Sequence, residues 1–191
     1  LPVPESLRAA LTARAPRGRV SQLSLSLETG AAGPGRYQLA ARFDGLSMRG
    51  LGRIPGFSGA AGSVRADQTA GQLELDARRF VVDAPAHFEA PLVFDVVHGL
   101  LDWRLDGPAP VLQLQRLAFE NPDVAGGAEG RVVLDPAQGP VLELKGALVR
   151  ASVAAVPRYV PLVAGDETRA WLRSALVGGT VRDATVVVAG P

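Results

Sequence analysis

His87 and His98 are the two residues of this chain best suited to hold a metal or move a proton, and they stand 11 positions apart. No third ligand of matching spacing accompanies them, so both are expected as ordinary residues on or beside strands. Ser58, in Gly56-Phe57-Ser58-Gly59-Ala60, superficially resembles a nucleophile elbow. It lacks the second glycine position and the strand-to-helix context of that motif, and a turn is expected instead. Gly50, Gly52, Gly56, Gly59 and Gly62 match neither phosphate-loop spacing, and no helix start follows them to lend a dipole. Glu74, Asp76, Asp102, Asp106 and Glu143 occupy the polar half of an alternating pattern, which describes a solvated face rather than an acid/base pair. With no cysteine, disulfides, thiol catalysis and Cys-ligated zinc are excluded. No catalytic residue, metal site or cofactor is expected.

The elements that carry these residues are strands. Leu73-Glu74-Leu75-Asp76, Leu101-Asp102-Trp103-Arg104-Leu105-Asp106, Leu112-Gln113-Leu114-Gln115 and Leu142-Glu143-Leu144-Lys145 all read apolar, polar, apolar, polar. Successive side chains of a strand point to opposite faces, so the pattern predicts a sheet with one apolar and one wet face. Trp103, Phe94, Phe88 and Phe119 fall on the apolar half. At Gln115-Arg116 the phase slips by one, from Leu112 and Leu114 to Leu117 and Phe119, which predicts a β-bulge.

Along the chain, Pro4 followed by residues 5–14 predicts a short helix over 4–14, stopped by Pro16 and Gly18. Residues 20–28 and 36–44 predict a hairpin joined by the loop from Gly30 to Gly35. Residues 45–61 are expected to be irregular. Strands are expected near 62–67, 71–77, 79–84, 87–97, 99–106, 111–120, 127–135 and 141–150, so that an antiparallel meander occupies 20–150. Asp106-Gly107-Pro108, Asn121-Pro122-Asp123, Gly126-Gly127 and the run from Asp135-Pro136 to Gly139-Pro140 punctuate it. Short connections imply antiparallel neighbours. Residues 158–177 read as loop and helix, with Asp166 as N-cap and Gly178-Gly179 as stop, and 180–189 as a final strand.

One domain over 1–191 is expected. Charge is balanced, with 20 Lys+Arg against 19 Asp+Glu scattered among one another, which disfavours a nucleic-acid partner. No stretch reaches the length of a spanning helix and no signal peptide opens the chain. The chain starts at Leu1 without Met and ends directly after a strand-like run, so it is expected to be an internal piece of a longer protein. Two short helices cannot cover so large an apolar face. The pattern leaves three arrangements open: a sandwich, a closed barrel, or a curved sheet whose apolar concave side is an open groove.

A resemblance chooses among them. Arg158-Tyr159-Val160-Pro161, Trp171-Leu172 and the run from Ala175 to Val181 resemble the signature of the YhdP branch of the AsmA-like proteins. Ile54-Pro55-Gly56-Phe57-Ser58-Gly59, Gly71-Gln72-Leu73-Glu74-Leu75, Ala90-Pro91-Leu92, Gly99-Leu100-Leu101-Asp102-Trp103 and the run from Leu117 to Asp123 are similar to that family's middle region in the same order, and so is the opening helix followed by residues 18–25. Val160 departs from the Leu more frequent there.

The resemblance implies a mainly β fold, a long curved antiparallel meander with an apolar concave groove and two short helices. It implies a non-enzymatic envelope protein, periplasmic, anchored in the inner membrane by a segment outside this chain, that carries phospholipid toward the outer membrane. Phospholipid acyl chains are then the expected partners, alongside envelope proteins. The expected groove wall is Leu73, Leu75, Leu92, Phe94, Leu101, Trp103, Leu105, Leu112, Leu114, Leu117, Phe119, Val132, Leu134, Leu142 and Leu144. The rival functions are a scaffolding β-sandwich with a sealed core and an envelope hydrolase or glycan-binding domain. Against the last stands the lack of any convergent Ser/His/Asp or paired-carboxylate pattern.

Overall fold

In a computed structural model, residues 9, 12–28, 35–52, 54–135 and 139–190 are described. Nine strands form a single antiparallel sheet in strict chain order: β1 (Arg17–Glu28), β2 (Arg36–Met48), β3 (Gly56–Asp67), β4 (Ala70–Asp83), β5 (Leu92–Arg104), β6 (Val111–Glu120), β7 (Val124–Asp135), β8 (Gly139–Ser152) and β9 (Thr180–Gly190). β1 and β9 are the sheet's edges, and no second sheet faces it among the described residues. The sandwich and barrel arrangements are thereby removed. Most of the helix expected over 4–14 and most of the loop from Gly30 to Gly35 lie outside the described residues, although residues 12–14 are helical.

The strands are fewer and longer than the turn signals suggested. Residues 71–77 and 79–84, expected as two strands, are one, β4, because Arg79 takes φ +56° and lets Arg78 and Arg79 both point to solvent while pairing with β5 continues. Residues 87–97 and 99–106 likewise belong to one strand, which begins only at Leu92 and runs through Gly99. Residues 56–61, expected to be irregular, form the start of β3, and β2 continues to Met48. The slip at Gln115 is a bulge: Leu100 pairs with Arg116 but Leu101 with Leu114, leaving Gln115 as the extra residue.

Between β3 and β4 the carboxylate of Asp67 accepts from Thr69 N–H at 2.7 Å, Thr69 Oγ1 at 2.7 Å and Ala70 N–H at 2.9 Å. These bonds, the Thr69 hydroxyl first, hold its carboxyl below the ordinary range. They fix a tight turn that sets the β3–β4 register.

Between β8 and β9 lies a cassette of short helical pieces: a 3-10 turn (Val153–Ala155), α1 (Val156–Tyr159), a second 3-10 turn (Leu162–Ala164) and α2 (Asp166–Ala175). Asp166, expected as the N-cap, is instead the first residue of α2. The cap is Gly165, whose φ of +80° suits glycine, and Asp166 reaches Arg169 one turn on at 3.6 Å. The cassette sits at the strand end shared by the 84–91 and 121–123 connections. The buried apolar residues Ala84, Leu92, Val124 and Ala151 gather at that same end. Among the described residues no large side chain is fully buried, as a one-layer sheet requires.

Candidate functional site

Cross-strand pairing converts the alternation into rows that run across the sheet. Ala41, Val64, Leu73, Leu101, Leu114, Gly130, Leu144 and Val188 are successive partners from β2 to β9. On the cassette side of this row runs Val20, Phe43, Gly62, Leu75, Gly99, Leu117, Ala128, Gly146 and Val186; on the other side runs Leu25, Leu39, Ala66, Gly71, Trp103, Leu112, Val132, Leu142 and Gly190. Members of one row share a face, and rows two residues apart share it too. All three rows contain only apolar residues and glycine, from one edge of the sheet toward the other.

Ten of the fifteen residues expected as a groove wall stand in these rows. Leu73, Leu101, Leu114 and Leu144 lie in the middle row; Trp103, Leu112, Val132 and Leu142 flank them on one side, Leu75 and Leu117 on the other. Phe119 lies beyond Leu117, and its ring meets that of Phe94 at 5.6 Å between centroids. Phe94 pairs with Phe80, which in turn lies 6.1 Å from Phe57, so an aromatic band crosses four strands near the cassette. Leu92, two residues from Phe94 and paired with Val82, is buried beside it. Leu105 and Leu134 sit at the opposite strand end and are exposed.

The intervening residues make the opposite face. Ser24, Ala40, Arg65, Gln72, Asp102, Gln113, Arg131, Glu143 and Ala189 are one such row. Asp102 accepts from Gln72 Nε2 at 2.8 Å and Gln115 Nε2 at 2.9 Å. Asp76 lies 3.1 Å from His98 Nδ1. Shallow depressions open between the long side chains of these rows, lined by residues such as Arg65, Gln72, Asp102 and Arg131. One of them is walled mainly by apolar groups, among them Pro108, Ala109, Val111 and Val133. Leu100 and Val187 are apolar exceptions on this side, and Val111, Val133 and Val141, successive partners from β6 to β8, form a short apolar run there.

Glycines are the part of the apolar face that the alternation concealed. Gly62, Gly71, Gly99, Gly130 and Gly146 stand in the rows, where the sequence reading treated glycine chiefly as a strand boundary. At Gly71 an added Cβ would collide with the indole of Trp103, which packs directly against the neighbouring backbone. The usable signal was phase: these glycines share the odd or even count of the leucines around them.

Polar contacts fasten the cassette. Asn121, 6% exposed, donates through Nδ2 to Val93 O at 2.6 Å and to Tyr159 Oη at 2.8 Å, and its Oδ1 accepts from Asp123 N–H at 3.0 Å and Val124 N–H at 2.9 Å. Arg150 donates to Asn121 O and Pro122 O, and Arg158 pairs with Asp123. Partial burial, aided by the Asp123 charge, pushes the Tyr159 hydroxyl above its ordinary pKa. Arg169, 4% exposed, is held by Glu89, which also receives Arg173 at 3.2 Å. Nothing in the sequence pattern pointed to Glu89, Arg169 or Arg173. His87 lies far from His98 in role: its carbonyl accepts Leu162 N–H at 2.8 Å, and its Nδ1 is buried.

A family model described as YhdP protein matches residues 1–191. No curated protein and no solved structure matches the chain.

Proposed function

Because this chain belongs to the YhdP family of bacterial envelope proteins, we propose that its apolar face is a section of a hydrophobic path along which phospholipid acyl chains move between the inner and outer membranes. The single observation that carries this reading is the set of three uninterrupted apolar rows crossing the sheet with, among the described residues, no second sheet over them. Nine strands at about 4.8 Å spacing and a rise of about 3.3 Å per residue give a face on the order of a thousand Å2 or more. That exceeds by severalfold the apolar patch an ordinary soluble surface leaves in water.

An acyl chain answers the requirement. Each methylene exposed to water costs about 0.8 kcal/mol, so a 16-carbon tail leaving a bilayer unshielded faces roughly 12 kcal/mol. A continuous apolar wall removes most of that barrier without chemistry, and the reading is therefore non-enzymatic. Leucine, valine and phenylalanine offer tails shape and dispersion contacts but no hydrogen bonds, so discrimination among tails is low and headgroups stay on the solvent side. In the described residues no helix is long and apolar enough to cross a membrane; the inner-membrane anchor and the periplasmic location belong to the proposal.

Replacing Leu101, Leu114 and Leu144 together with Asp places three charges in the middle row, on β5, β6 and β8. Crosslinking of a photoreactive phospholipid to this variant is expected to vanish. Labelling equal to that of the unaltered chain would refute the assignment.

A further inference from the structure

Residues 153–179 leave and rejoin the sheet at one point. Ser152 pairs with Thr180, and Val153 N–H donates to Gly179 O at 3.0 Å. The whole excursion therefore hangs from a single base, and no strand ladder runs through it. Gly179 at φ +111° stands at that base. Away from the base, polar contacts tie the excursion to the 84–91 and 121–123 connections: Leu162 N–H to His87 O, Arg169 and Arg173 to Glu89, Arg158 and Tyr159 to Asp123. The counter-ion of the buried Arg169 is itself half exposed, so the Glu89 contact can be reached from solvent.

Leu92, Val124 and Ala151, on or beside the apolar face at the cassette end, are buried, while Leu105 and Leu134 at the opposite end are exposed. The two strand ends thus differ: one carries the segment on its single base and gathers the buried residues, the other is open.

We propose that residues 153–179 are a side flap, latched through Glu89 and Asp123, whose opening admits acyl chains to the apolar face from its covered end. The role of the flap rests on the lipid-contact reading above; its motion does not. When the latches part, Leu92 and the aromatic band at Phe94 and Phe119 lose their cover and join the three rows. When they close, that margin of the face is shut to water and lipid.

The chain has no cysteine, so an introduced pair is unique. The full chain carrying Glu89→Cys with Arg173→Cys is compared bridged by a short bismaleimide, singly capped with N-ethylmaleimide, and unaltered. The readouts are amide hydrogen exchange over 156–176 and labelling by a photoreactive phosphatidylethanolamine in vesicles. Exchange in the unaltered chain is expected to be faster over 156–176 than in paired β4 and β5, faster again by roughly tenfold or more in the capped form, and slowed to the sheet's level by bridging. Labelling is expected to fall severalfold on bridging. Arg158→Cys with Asp123→Cys, which leaves Glu89 and its arginines intact, must give the same order. Equal exchange of flap and sheet in every form overturns the flap, as does a bridged form that labels like the unaltered chain. A flap that opens while no form takes up lipid overturns the lipid-contact reading and with it the flap's role.

Discussion

Asn121→Ala tests whether the turn after β6 is held by its buried amide or merely by the proline that follows. The Asn121 side chain makes four hydrogen bonds, to Val93 O, Tyr159 Oη, Asp123 N–H and Val124 N–H, and the residue is 6% exposed. Alanine removes all four. Val124 N–H is buried, so its loss carries the full desolvation cost of an unpaired donor, about 1–3 kcal/mol. Val93 O accepts at 2.6 Å and is left without that donor, whereas Asp123 N–H and Tyr159 Oη regain water at smaller cost. The sum is about 3 kcal/mol, or roughly two orders of magnitude in the folding equilibrium. Urea unfolding of the full chain measures it as a shift of midpoint at unchanged slope. A loss under about 0.5 kcal/mol would show that the turn holds without its amide, and would refute the reasoning.

Two further outcomes follow from the same geometry. Gly62→Ala, at φ +153° with a Cβ directed into the carbonyl of Glu74, is expected to destabilise β3–β4 by about 2 kcal/mol or more, read as a fall in thermal midpoint; a neutral result would contradict the close approach of these strands. Tyr159 ionises less readily folded than unfolded, so its contribution is complete below pH 10.0 and is lost as pH rises through the raised folded value. Tyr159→Phe should flatten the decline of stability measured above pH 10.0, and an unchanged decline would exclude this hydroxyl as its source.

The sidedness of the sheet was legible because alternation at period two is a direct image of strand geometry. Even the bulge at Gln115 left its trace as one slipped residue between Leu114 and Leu117. A similar trace at Arg78-Arg79, two exposed residues in succession, reads equally as a break between strands, and only the left-handed backbone at Arg79 distinguishes the two. Gly99 misleads for a related reason. A missing side chain ends many strands, but here it makes room within the row between Leu75 and Leu117. The latches were out of reach altogether: Glu89 and Arg169 lie 80 positions apart, and their burial arises from how the 84–91 connection meets α2. Asn121 was visible as a turn residue, which accounts for its Oδ1 but not for the two bonds of its Nδ2.

The central claim is that one face of this sheet, and not the other, meets lipid. A photoreactive amino acid placed singly at Leu101, Leu114 or Leu144, and in parallel at Gln72, Gln113 or Glu143, interrogates both faces with positions of the same or adjacent strands. Irradiation in living cells followed by mass spectrometry of the adducts is expected to give phospholipid on the three leucine positions and none on the three polar ones. Equal labelling of both faces, or only protein adducts at Leu101, Leu114 and Leu144, would contradict it.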